Sequence, residues 1–257
     1  MARKAAENRG QVEQEIVIVI ALLMALAAIL YSMVGHGGAS AYIAIMALFA
    51  LAPETMRPTA LALNLVAAGI ATWRYASAGQ INWRLLAMFV ATAAPAAFFT
   101  GSLPISDGFY RPLVGVLLWL AAIKLFWNPT ATAGQTPRQP RLAIALPVGA
   151  GLGALAGLTG TGGGIFLSPL ILLLGWEDTR RTSGVAAAFI LINSIAGLAG
   201  NYGSLGYLSP ELPWFALAVG LGAIIGSWLG SRRLDKKRVL QGLGVVLLIA
   251  GAKLVLT

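Results

Sequence analysis

The sequence contains no cysteine and only one histidine, and charged residues occupy 11% of its 257 positions. Without cysteine, the chain can be neither a disulfide-stapled secreted domain nor a thiol catalyst, and one histidine cannot build a multi-histidine metal site. Average soluble domains carry about 25% charged residues. The scarcity of charge therefore excludes a soluble globular enzyme and a disordered chain.

Apolar residues dominate what is present. They fill 58% of the sequence, and the mean hydropathy is +0.80. One small globule cannot hide so many apolar side chains, so its surface must face something other than water. The net charge is +9, and the charged residues lie between apolar runs. Basic residues at such places orient membrane segments, so the charge does not indicate a nucleic-acid partner. The sequence predicts an all-α integral membrane protein whose surroundings are the lipid bilayer.

Ten uncharged or nearly uncharged stretches are candidate membrane segments. A hydrocarbon core about 30 Å thick needs about 20 apolar residues for each crossing helix. The only charges inside the stretches are Lys124 and Lys253, each near the end of its segment. The stretches are 16–34, 39–52, 58–73, 85–103, 112–127, 142–159, 165–175, 182–200, 212–230 and 239–256.

The chain repeats itself at an offset of 125–129 residues. Residues 115–125 match residues 244–254 at six of eleven positions, and a glycine-rich break at 35–38 corresponds to another at 160–164. These matches divide the chain into a polar N-terminal tail, a first repeat, a linker with three prolines and a second repeat. Their bounds are 1–15, 16–127, 128–141 and 142–257.

Corresponding loops of the two repeats carry opposite charge bias. Residues 74–84 contain two arginines and their counterpart 201–213 has no basic residue, whereas 105–111 contains one and its counterpart 231–238 has five. Because cytoplasmic loops attract Lys and Arg, matching loops are expected on opposite membrane faces. An odd number of helical segments in each repeat also places the second repeat in the opposite orientation. The sequence predicts two inverted repeats of about five helical segments each, an architecture typical of transporters.

Each repeat contains a glycine-rich break followed by a short apolar segment. The segment 39–52 has fourteen residues and the segment 165–175 has eleven, so a helix there spans only half to two-thirds of the hydrocarbon. Irregular backbone at membrane depth is tolerated only where it packs in protein or lines a wet cavity. We therefore expect 16–52 and 142–175 to form re-entrant hairpins whose tips meet near the midplane.

The hairpin tips are candidate anion sites, because each tip is the N-terminus of a half-helix. The first N–H groups of a helix have no partner within the helix, the macrodipole is positive there, and glycine lets an oxyanion approach closely. The alternative is that these glycines only permit close helix packing. The candidate substrate-binding residues are Gly35, His36, Gly37, Gly38, Ser40, Asn64, Thr159, Gly160, Thr161, Gly162, Gly163, Gly164 and Asn193.

Three further side chains have two interpretations each. His36 is expected to titrate near neutral pH, so it suits either a proton-linked gate or a structural hinge. Arg57 and Arg181 begin matched helices and either guide anions into the site or form salt bridges with nearby acids. No apolar segment contains Asp or Glu, which argues against a cation substrate. The sequence suggests no catalytic residues, metal site or cofactor, so an enzyme is not expected.

The glycine-rich breaks, the segment RTSGVA at 181–186 and the turn at 201–208 together resemble the sulfite exporter TauE/SafE family over residues 16–256. The resemblance implies a multi-pass exporter of sulfite, organosulfonates such as sulfoacetate, or related small oxyanions in the bacterial inner membrane. Alternating access would move the anion, and a homo-oligomer is compatible with the sequence. An anion channel and a membrane-embedded interaction or assembly protein without transport stay open as alternatives.

Overall fold

The computed structural model describes residues 2–104, 106–126, 138–230, 247–249 and 251–256. All regular secondary structure in these residues is helical, which confirms the all-α prediction. Most of the predicted linker and the basic loop 231–238 lie outside the described residues. The α-helices are α1 Ala2–Ser32, α2 Ala39–Leu48, α3 Pro53–Ser77, α4 Trp83–Gly101, α5 Asp107–Phe126, α6 Leu142–Thr159, α7 Gly164–Leu173, α8 Thr179–Gly200 and α9 Leu212–Gly230.

Among the residues that the structure describes, five helical segments are long and apolar enough to cross a membrane. The helix α1 begins already at Ala2, so the predicted polar tail at 1–15 continues the first apolar stretch as helix. A short 3₁₀ helix, Tyr202–Tyr207, connects α8 to α9. The segments are Gln14–Ser32, Trp83–Gly101, Leu142–Thr159, Arg180–Gly200 and Leu212–Leu229.

The first helix of each half packs against the fourth helix of the other half. On α6, glycines contact α4 in rising order along both helices: Gly149 lies at Phe89, Gly153 at Ala93 and Gly157 at Ala97. The pair is therefore parallel. Thr92 and Thr100 of α4 add hydroxyl donors to the Leu146 and Ala154 carbonyls of α6, at 2.6 and 3.0 Å. On α9, Gly222 lies at Ala25 and Gly226 at Ile29 of α1, so that pair is parallel as well.

The third helices of the two halves, α3 and α8, pack against each other in antiparallel directions. Along α3, Leu61 lies near Gly197, Asn64 hydrogen-bonds Ser194, and Gly69 lies near Leu191. Residue numbers rise on one helix as they fall on the other. The matched third helices of the two halves therefore point in opposite directions.

The short helices after the two glycine breaks are matched in length and in their terminal turns. Each has ten residues, at an offset of 125. Both breaks contain left-handed glycines at corresponding places, 35 and 160, then 38 and 163. Both helices end before a left-handed residue, Ala50 at φ 59° and Gly175 at φ 63°. The helices α2 and α7 are consequently shorter than the apolar stretches that predicted them.

The glycine seam between α4 and α6 offers a matched test of packing. A Cβ at Gly153 would lie 2.5 Å from the Ala93 Cα, whereas a Cβ at Gly151 would have no atom within 4 Å. We expect Gly153→Ala to cost about 1–3 kcal/mol through overpacking. Gly151→Ala should be neutral or stabilising by up to about 1 kcal/mol, because alanine favours helix. Thermal unfolding in detergent would measure both; equal midpoints would contradict the close approach of the helices.

Candidate functional site

Both glycine tips meet at one pair of side chains in the middle of the helix bundle. A Cβ at Gly37 would lie 3.0 Å from both Asn64 Cγ and Ile190 Cγ2. A Cβ at Gly162 would lie 2.7 Å from Asn64 Nδ2 and 2.9 Å from Ile190 Cγ2. Asn64 lies about 16 Å along α3 from its start, at the rise of 1.5 Å per residue. The tips therefore come together at about half the length of α3 and α8.

Asn64 links the first tip to both central helices. The side chain is fully buried. Its Oδ1 accepts the Ala39 N–H at 3.2 Å, and its Nδ2 donates to Ser194 Oγ at 3.3 Å. The N–H of Ala39, the first residue of α2, is therefore occupied by a side chain in this conformation. An anion that takes this N–H must displace Asn64 Oδ1.

Other backbone donors at the tips form no hydrogen bond within the described part of the chain. They are the N–H groups of Gly37, Gly38, Gly162, Gly163 and Gly164. Three of them are consecutive and lead into α7, where the positive end of the helix dipole lies. The second tip therefore offers a row of backbone donors beside Asn64.

His36 connects the first glycine-rich break to helix α7. Its ring is buried, with Nδ1 3.0 Å from the Val34 carbonyl and Nε2 3.2 Å from Ser168 Oγ. Ser168 in turn donates to the Gly164 carbonyl at 3.3 Å. Sequence reasoning missed Ser168, because nothing in the sequence pairs a serine of α7 with a histidine 132 residues earlier. The contact joins the first glycine-rich break to helix α7.

The hydroxyl groups expected at the tips bond to nearby groups. Ser40 Oγ and Tyr31 Oη are 2.8 Å apart, and Thr159 and Thr161 share a hydroxyl contact of 2.9 Å. Thr159 Oγ1 also donates to the Leu155 carbonyl of its own helix. In this conformation these hydroxyls form hydrogen bonds near the two glycine-rich breaks.

Asn193 directly precedes Ser194, whose side chain hydrogen-bonds Asn64. Its Nδ2 donates to the Phe189 carbonyl at 2.9 Å, and its buried Oδ1 has no hydrogen-bond partner among the described residues. Ser194 is the member of α8 that pairs with Asn64. Asn64 and Asn193 were predicted to correspond in the two repeats. Because Asn64 contacts Ser194 instead, the two asparagines lie on neighbouring faces of the α3–α8 pair.

The remaining tip glycines lie against their neighbours so closely that a Cβ would come within 3 Å of another atom. Gly35 lies at Ser183, Gly38 at the Tyr42 ring, Gly160 at the Arg57 backbone, Gly163 at the Leu152 carbonyl and Gly164 at Ile190. Close packing is thus one role that these glycines fulfil. Within the described residues, no three His, Asp or Glu side chains cluster so as to hold a metal ion.

The two predicted guiding arginines differ. The Arg57 guanidinium is buried and donates to the Thr100 carbonyl at 3.0 Å and the Gly101 carbonyl at 2.6 Å, so it caps the C-terminus of α4. The Arg181 side chain is exposed, and the backbone N–H of Arg181 donates to Asp178 Oδ1 at 3.0 Å. Only Arg181 has an exposed side chain that an anion in solution can reach without displacing a structural hydrogen bond.

Comparison with known proteins gives the relationship of the whole chain. The family model described as Sulfite exporter TauE/SafE matches residues 20–254. A probable membrane transporter protein, y4hK, of Sinorhizobium fredii (strain NBRC 101917 / NGR234) is 37% identical over 238 residues, covering 91% of this chain and 96% of the relative. No solved structure matches. With its apolar helices, the chain is therefore a multi-pass membrane transporter and belongs to the sulfite exporter TauE/SafE family.

Proposed function

We propose that the protein exports sulfite, an organosulfonate such as sulfoacetate, or a related small oxyanion across the bacterial inner membrane. The observation that carries this proposal is the meeting of Gly37 and Gly162 at Asn64. Two half-helix N-termini then converge on one point inside the bundle, and helix N-termini favour anions. The match to the family model described as Sulfite exporter TauE/SafE supports this substrate class.

The bound anion accepts hydrogen bonds from the backbone of the second tip, chiefly the N–H groups of Gly162, Gly163 and Gly164. In the described conformation the tips are packed against Asn64 and Ile190, and in this proposal it is the closed state. Opening requires the two hairpins to separate and Asn64 to release the Ala39 N–H. The His36–Ser168 contact breaks in the same movement, since it spans the two hairpins.

Two inverted repeats with re-entrant hairpins are the architecture that we propose for this cycle. The antiparallel packing of α3 on α8 supports inversion, because third helices related by an axis along the membrane normal would be parallel. The exchange of partners, α1 with α9 and α4 with α6, is consistent with a twofold relation between the halves. Rocking one repeat against the other would expose the tips to each side in turn.

The membrane potential supplies the driving force for export in this proposal. An inside-negative potential favours outward movement of an anion by about 2.3 kcal/mol per charge per 100 mV. The apolar segments contain no Asp or Glu, the side chains that proton- or cation-coupled carriers usually place in the membrane. A coupling ion is therefore not required.

Flux through purified protein in liposomes tests the proposal. Liposomes loaded with sulfite should release it faster when a potassium diffusion potential makes the lumen negative, and release should slow when the sign is reversed. Saturation with rising sulfite concentration identifies a carrier, whereas unsaturated flux at channel-like rates identifies the anion channel. Absence of sulfite, sulfoacetate and sulfate movement at either sign would contradict transport of this substrate class.

A further inference from the structure

His36 is the one histidine of the chain, and both nitrogens of its buried ring face hydrogen-bonding groups. Nδ1 lies 3.0 Å from the Val34 carbonyl oxygen. A carbonyl oxygen has no hydrogen to donate, so Nδ1 carries the proton of this hydrogen bond. The charge of the ring is therefore decided at its other nitrogen, Nε2.

The group that faces Nε2 is a hydroxyl, which can either donate or accept a hydrogen bond. Ser168 Oγ lies 3.2 Å from Nε2 and 3.3 Å from the Gly164 carbonyl oxygen. When the ring is neutral, Ser168 donates to Nε2. When the ring is protonated, Nε2 donates to Ser168 Oγ, and the hydroxyl donates to the Gly164 carbonyl. Both states use the same heavy atoms, so the ring can gain or lose a proton while one hydroxyl hydrogen rotates.

The ring lies beside the backbone donors that are proposed to hold the anion. His36 directly precedes Gly37 of the first tip. Ser168 connects the ring to Gly164, whose N–H belongs to the row of donors at the second tip. An anion on this row and a proton on Nε2 are opposite charges separated by one hydroxyl group and one residue. Each therefore favours the binding of the other.

The other titratable and charged groups around the two breaks keep their charge state near neutral pH. Tyr31 of α1 meets the His36 ring edge-on, with 6.3 Å between the ring centroids, and Tyr42 of α2 donates to a carbonyl of the first tip. Tyr110 of α5 and Arg57 of α3 reach the second break. Phenols ordinarily ionise at about pH 10, and arginine stays charged. Neither Asp, Glu, Lys nor Arg occurs in the apolar stretches of α1, α2, α3, α7 and α8, which are 16–34, 39–52, 58–73, 165–175 and 182–200.

We propose that His36 is a proton-binding site linked to the anion site, so that an oxyanion at the tips and a proton on Nε2 bind together. The inference rests on the proposed function, because it takes the tips as the anion site. The proton comes from solution, and the ring returns it when the anion leaves. The protein consequently holds its anion more tightly in acidic than in alkaline solution. The proton adjusts the affinity of the site and is not needed as a source of energy for export.

Calorimetric titration of the detergent-purified full chain with sulfoacetate tests this linkage. Sulfoacetate is fully ionised at about pH 6.5, the ordinary midpoint of histidine, so protons taken up on binding go to the protein. Titrations in buffers of different ionisation enthalpy count these protons. The wild-type protein should take up a fraction of one proton per anion. Its affinity should rise at least about tenfold from mildly alkaline to mildly acidic solution, because a neighbouring opposite charge changes a proton affinity by about ten- to a thousandfold.

Three variants assign the proton to the His36 ring. His36→Gln should bind sulfoacetate without proton uptake, at the affinity of the wild-type protein in alkaline solution. Ser77→His, added to His36→Gln, restores one histidine at the exposed end of α3, about 20 Å along the helix from Asn64, and should not restore the uptake. Ser168→Ala removes the acceptor of the protonated Nε2 and should lower the uptake, which Ser168→Thr should restore.

The outcomes separate this inference from the proposed function. Wild-type binding without proton uptake, or equal uptake in His36→Gln, would overturn the inference and leave the tip site standing. Recovery of the uptake by Ser77→His would overturn it as well, because the linkage would not be local. If His36→Gln does not fold, undiminished uptake in a folded Ser168→Ala protein would have the same meaning. Binding of neither sulfoacetate nor sulfite at any pH would overturn both the inference and the proposed function.

Discussion

Gly162→Val is expected to abolish sulfite binding at the tips and sulfite export, while the protein still inserts into the membrane. At φ 73° a branched side chain is strained, and its Cβ would lie 2.7 Å from Asn64 Nδ2. The added methyl groups would cover the N–H groups that are proposed to bind the anion. The affinity at this site is expected to fall at least a hundredfold. Export should fall to the rate of sulfite-loaded liposomes that contain no protein.

Gly151→Val is the matched control for this substitution. Gly151 is exposed on α6 and has no atom within 4 Å of a Cβ, so the same change there should leave binding and export unaltered. Membrane insertion and thermal unfolding of both variants separate a binding defect from misfolding. Unchanged sulfite affinity in a folded Gly162→Val protein would remove the case for the amide site.

Asn64→Asp is expected to weaken anion binding on the order of a thousandfold with little change in the fold. The carboxylate keeps an acceptor for the Ala39 N–H, and the Ser194 hydroxyl can rotate to donate to it. A new negative charge about 4 Å from a bound anion costs about 4 kcal/mol at an effective dielectric constant of 20. The charge acts on the anion directly, so the effect is largest where the carboxylate is ionised.

Titration of sulfite over a rising series of pH values measures this effect, because the weakening should grow as the introduced carboxylate ionises. Asn201→Asp provides the control, because it makes the same chemical change at the end of α8, outside the site. If Asn64→Asp bound sulfite as tightly as the wild-type protein, the anion could not lie beside Asn64. The tip site would then have to be abandoned even if the protein transports sulfite.

The breaks and the short helices that follow them were predictable from the sequence, because glycine-rich interruptions of apolar runs are local signals. The helices begin where the breaks end, at Ala39 and Gly164. Their C-terminal ends were predicted two to four residues too late. Ala50 and Gly175 terminate them by adopting left-handed conformations, and an alanine in an apolar run gives no sign of this.

The partners of the site residues were not predictable, because they come from the other half of the chain. Asn64 pairs with Ser194 rather than with its repeat counterpart Asn193, and adjacent positions on a helix differ by about 100° in direction. Ile190 contacts both tips but is an ordinary apolar residue in the sequence. Arg57 caps α4 by donating to backbone carbonyls, which every residue type has, so the sequence gives no sign of this contact.

Anomalous scattering from selenite, the heavier analogue of sulfite, tests the central claim most directly. In crystals of the protein soaked with selenite, we predict a selenium peak beside Gly162, Gly163 and Gly164, with selenite oxygens about 2.7–3.2 Å from their backbone nitrogens. Asn64 should have moved away from the Ala39 N–H. A protein that transports selenite but places selenium away from both glycine tips would contradict the account.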